Sequence, residues 1–93
     1  MLNNLQEKAA AYLAAKTGRQ YAILINEAQA GAIVRKLIAW YPIYKIFCTE
    51  PTGLGNLELL LAINPGLLDD EDFIYGVAAF YSTKENHYGN KIN

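Results

Sequence analysis

Three short stretches hold the residues from which a site could be assembled. The first is CTEPTGLGN, residues 48–56, where two glycines one residue apart follow Pro51 and Thr52. Glycine-rich loops cradle phosphate through backbone N–H groups, but a P-loop continues with a lysine and a hydroxyl residue at the start of a helix. Here Gly55 is followed by Asn56 and Leu57, no lysine is near, and the position of a third fingerprint glycine is Glu58. A carboxylate at that point repels phosphate. The segments on either side look strand-like, so EPTGLGN reads as a hairpin loop in which Pro51 presets one turn dihedral and Gly53 and Gly55 supply positive φ.

The second stretch is LDDED, with Asp69, Asp70, Glu71 and Asp72 in succession. Calcium loops space their ligands at alternate positions and turn on a glycine, and neither feature is present. Acids at a helix N-terminus are favoured by the helix dipole, which accounts for the run without a ligand. The other reading is an acidic contact for a partner, with Tyr75 and Tyr81 close by in sequence.

The third stretch is WYPIYKIF, which places four aromatic residues from Trp40 to Phe47, beside Arg35, Lys36 and Lys45. Aromatic and basic residues interleaved in this way can stack bases and hold phosphates. The same residues also suit a core or a protein interface, since Tyr and Trp are enriched there. Cys48 and His87 are a fourth possibility, but a cysteine–histidine pair needs contact and a third orienting group. No metal-ligand spacing is present, so no cofactor is expected.

These residues sit in a chain of 93 residues, 53% hydrophobic and 18% charged. That is one domain, too apolar for disorder, with no apolar run near the roughly 20 residues that span a bilayer. No membrane partner is expected. Glu7 and the lack of a basic lead argue against a secretory signal at the first residues. A single cysteine suits a reducing compartment, so the expected location is cytoplasmic. Net charge is −1, but residues 1–48 hold six cations against two carboxylates and residues 49–93 two against seven. Either the fold has a basic and an acidic face, or the two halves interleave and the charges mix.

The elements that must position these residues follow from pattern. The first element is an alanine-rich helix, with Asn3 or Asn4 as cap, Leu5, Ala9, Tyr12 and Leu13 on one face, and Gly18 as terminator. QYAILIN is apolar on both faces and predicts a strand covered on both sides. Asn26 and Gln29 form a capping box before a second helix that Pro42 ends, and Gly31 within it marks close backbone contact. IYKIFCTE and NLELLLAIN predict two further strands, and DDEDFIYGVAAFYSTK a last helix.

The expected fold is α+β: a small three-stranded, largely antiparallel sheet with packed helices in the order α-β-α-β-β-α. Residues 1–84 form the domain and 85–93 a polar, flexible tail. The expected function is a non-enzymatic protein-interaction module, a small bacterial or phage accessory protein of the immunity or counter-defence type, by analogy of size and composition. Its partner-binding residues are Asp69, Asp70, Glu71, Asp72, Tyr75 and Tyr81. One alternative is nucleic-acid binding through Arg35, Lys36, Trp40, Tyr44 and Lys45. Another is a small enzyme or ligand-binding homodimer with a pocket between subunits.

Overall fold

Leucine favours helix over strand, and in this chain that preference decides the fold. The structure, a computed structural model, describes residues 1–48, 51–82 and 89–92, with side chains through Ala79. It contains α1 (Leu2–Thr17), β1 (Gln20–Ile23), α2 (Glu27–Trp40), a 3₁₀ helix (Pro42–Phe47), α3 (Gly53–Ile63), a second 3₁₀ helix (Pro65–Asp69), α4 (Glu71–Ser82) and β2 (Gly89–Ile92). The expected three-stranded α+β sheet is therefore overturned. Helices dominate, and the described strands are β1 and β2, paired antiparallel with Gln20 opposite Ile92 and Ile23 opposite Gly89. The chain divides into two compact units, Ile25–Pro65 (with Met1) and Leu2–Leu24 with Gly66–Asn93.

In the Ile25–Pro65 unit, α2 begins with the expected capping box. Gln29 N–H donates to Asn26 Oδ1 at 2.9 Å, and Asn26 N–H donates to Gln29 Oε1 at 3.0 Å. Ala30, Ile33, Val34 and Leu37 are its buried apolar residues. The helix stops at Trp40, where Pro42 cannot continue the ladder. The next residues do not extend as a strand. Tyr44 N–H donates to the Tyr41 carbonyl at 3.0 Å, and Tyr44 itself is buried, its hydroxyl accepting from Asn64 Nδ2 at 2.7 Å.

The second expected strand, NLELLLAIN, is α3. Its buried residues Leu57, Leu60 and Leu61 follow helical spacing, while Leu59 and Ile63 of the predicted strand face are more than a third exposed. The hairpin expected at EPTGLGN is likewise replaced, because α3 starts at Gly53. Gly18 alone among the described glycines has positive φ, at 72°. The need for glycine at 53 is contact with α2. A Cβ there would lie 2.5 Å from Gly31 N and 2.7 Å from the Glu27 carbonyl oxygen. The close approach expected at Gly31 is present, and it is made by Gly53.

In the other unit, α1 packs against β1 and α4. Leu5, Ala9 and Leu13 are buried, Tyr12 is half-buried, and Gly18 N–H closes the helix on the Ala14 carbonyl at 2.8 Å. Asn3 and Asn4 lie inside the first turn of α1 and do not precede it. Strand β1 buries Tyr21 and Ile23 but leaves Ala22 exposed, and Leu24 just after it is exposed too. The expectation of cover on both faces fails among the described residues, where α1 packs on β1 and Ala22 and Leu24 stay exposed. In α4, Phe73, Ile74, Val77 and Ala78 are buried. Of the expected tail at 85–93, residues 85–88 and 93 lie outside those described, and Gly89–Ile92 is strand β2.

Candidate interaction surfaces

The glycine-rich stretch is a helix start whose free N–H groups already have acceptors. Thr52 caps α3, its Oγ1 accepting from Gly55 N–H at 3.1 Å. Glu27, in the first turn of α2, reaches across so that Oε1 accepts from Gly53 N–H and Oε2 from Leu54 N–H at 3.0 Å. A helix N-terminus attracts anions, and here the anion is a carboxylate of the chain itself. By its position in the first turn of α2, Glu27 is a dipole partner for its own helix. No local pattern links it to residues 26 positions ahead.

The acidic stretch is divided in its duties. Asp70 Oδ1 accepts from Asp72 N–H at 2.9 Å and Phe73 N–H at 3.2 Å, so this side chain caps α4. Asp69 Oδ1 lies 3.3 Å from Lys8 Nζ, an exposed pair of the kind that contributes about 0–1 kcal/mol. Glu71 and Asp72 are exposed in the first turn of α4. Tyr75 is 58% exposed. Tyr81's side chain lies outside the described ones, as do His87 and Tyr88.

Lys8 and Tyr12 bring part of this group together. Lys8, Tyr12 and Lys16 are spaced by four along α1, so they form a file on the helix surface. Tyr12 meets Tyr75 edge-to-face with ring centroids 6.0 Å apart, and Lys16 Nζ lies 5.5 Å from the Tyr12 centroid. Tyr12 lines two hollows. One, of about 410 Å³, has Ala11, Leu68 and Ile74 as apolar lining with Lys8, Asp69 and Glu71. The other, of about 230 Å³, is lined by Tyr12, Lys16, Tyr75 and Ala78 among others. Asp69, Glu71 and Tyr75 of the predicted site thus share one surface, with Tyr12 at its centre. Sequence reading assigned Tyr12 to the core face, although its four-residue spacing from two lysines was a signal for the surface file.

The aromatic–basic segment is split differently. Arg35, Lys36, Trp40 and Lys45 are exposed, as are Ile43, Ile46 and Phe47. Tyr44 is 6% exposed and cannot offer its ring to a base. Cys48 is half-buried, and burial pushes its thiol up, away from the thiolate that a nucleophile needs. No group of three or more His, Cys, Asp or Glu side chains is placed to hold a metal among the described residues. No described helix is long and apolar enough to cross a membrane.

The opposition of basic and acidic halves also dissolves on folding. The Ile25–Pro65 unit holds three cations and three carboxylates, and the other unit five and six. The halves of the sequence interleave. No protein-family model, no curated protein and no solved structure matches this chain.

Proposed function

We propose that the chain is a non-enzymatic protein-interaction module, a small inhibitor or regulator, and that it grips its partner with the α1–α4 surface. The supporting observation is the pair of hollows beside Tyr12, with Tyr75 more than half exposed at one of them. Aromatic anchors and small apolar pockets are the features that concentrate binding energy in protein interfaces. Asp69 and Glu71 give the larger hollow an acidic lining, which suits a lysine or arginine whose stem lies on Ala11, Leu68 and Ile74. Because the Lys8–Asp69 pair is exposed, a partner cation can replace Lys8 at little cost. A single cysteine fits action in a reducing compartment.

The nucleic-acid reading keeps its exposed cations and Trp40 but loses Tyr44, which is held beneath the surface by Asn64. The test is affinity capture from nuclease-treated lysate with the parent chain and with Tyr75→Ala and Glu71→Lys. A protein retained stoichiometrically by the parent is expected to bind the Tyr75 variant at least about tenfold more weakly, with unchanged circular dichroism. Equal retention by both variants contradicts this surface, and retention that disappears with nuclease contradicts the protein-partner reading.

A further inference from the structure

The α1–α4 surface carries opposite charge at its two ends. It runs from Lys8 to Lys16 along α1 and from Glu71 to Ala79 along α4, eight residues or about 12 Å in each case. Lys8 and Glu71 line one hollow, Lys16 and Ala79 the other, so the hollows lie toward opposite ends of the two helices. At the first end Lys8 is already paired with Asp69, and Glu71 is exposed and makes no ion pair among the described residues, so this end stays acidic. At the other end Lys16 is the charged residue of the lining among the described side chains, its Nζ 5.5 Å from the Tyr12 ring centroid. Tyr12 stands midway between the two lysines, and Tyr75 meets it there, more than half exposed.

We propose that this surface pairs with a second copy of the chain about a two-fold axis at Tyr12. A two-fold contact sets residue i against j and j against i, so a surface acidic at one end and basic at the other is its own complement. The rotation brings Lys16 of each copy over the hollow that holds Glu71 of the other. There its stem lies on Ala11, Leu68 and Ile74 while its ammonium meets the Glu71 carboxylate. Tyr12 and Tyr75 meet their counterparts near the axis, and tyrosine is enriched at such contacts. The unit that carries the surface holds five cations and six carboxylates, so its net charge does not drive two copies apart. Lys16 is the chain's own version of the lysine or arginine assigned to the partner, and the inference rests on that reading of the acidic hollow. Self-pairing covers both hollows and Tyr75, so the free chain is held with its binding surface masked. A contact of about 12 Å along each helix is smaller than a permanent interface, so the pairing is reversible and yields to a tighter partner.

The purified full chain is followed by sedimentation equilibrium up to millimolar concentration. The parent is expected to dimerise reversibly, less so in high salt. Lys16→Glu and Glu71→Lys each set like charges together twice per dimer, and each is expected to raise the dimer Kd at least about tenfold. Mixing the two variants restores opposite charges at both contacts, so the mixture is expected to recover the dimer that each variant loses alone. That recovery also excludes a folding defect as the cause of the losses. Tyr75 of the parent is expected to lose reactivity toward N-acetylimidazole as the dimer forms, read by mass spectrometry. A parent that stays monomeric overturns the proposal, as does a dimer that both variants leave intact or that the mixture fails to restore. A dimer in which Tyr75 stays reactive overturns it in favour of another face. These measurements use the chain alone, so their failure leaves a protein captured from lysate standing, and an empty capture leaves the dimer standing.

Discussion

The starts of α3 and α4 solve one problem in two ways. Each helix begins with N–H groups that have no partner within the helix. At α4 the answer is local: Asp70 folds back onto Asp72 and Phe73. At α3 it is shared, with Thr52 taking Gly55 while Glu27 of α2 takes Gly53 and Leu54. A local cap stabilises its helix wherever that helix lies. A cap from another helix also fixes the distance between the two, and Gly53 against Gly31 is the consequence.

This contrast can be broken most severely at Gly53. Gly53→Ala sets a Cβ against the α2 backbone, which has no flexible end to yield, and the expected loss is about 3 kcal/mol by denaturant unfolding. The caps themselves come next. Glu27→Gln removes a charge-assisted contact to two N–H groups and is expected to cost about 2 kcal/mol, whereas Asp70→Ala is expected to cost about 1 kcal/mol. Equal losses would mean that Glu27 acts only as a local cap. The smallest effect has the opposite sign. A Cβ on Gly31 would meet only Arg35 Nη1, at 3.7 Å, so Gly31→Ala is expected to stabilise by up to about 1 kcal/mol. Destabilisation there would show that the close approach tolerates a side chain on neither helix.

The same contrast explains what could be read before folding. The Asn26–Gln29 box, the stop at Pro42, the terminator at Gly18 and the acidic start of α4 are all set by neighbours within a few residues, and all are where pattern placed them. The α3 helix was misread because Leu57, Leu59, Leu61 and Ile63 alternate as a strand would, and because Gly53 and Gly55 resemble a turn. What decides it is the propensity of leucine together with an acceptor and a flat backbone supplied by α2. The 3₁₀ helix at Pro42–Phe47 hid for a related reason, since the residue that pins it, Asn64, lies 20 positions away. At the candidate surface, Asp69, Glu71 and Tyr75 were legible as exposed polar and aromatic residues. Lys8 and Tyr12 were not, because only the packing of α1 on α4 brings them there.

The two exposed surfaces differ in what should touch them, and one experiment reads both. A photo-reactive benzoylphenylalanine is placed at Tyr75 in one variant and at Ile43 in another, and each is irradiated in cells of the source. The account predicts a discrete protein adduct from position 75 and no such adduct from position 43. A protein adduct formed from position 43 and absent from position 75 would contradict it.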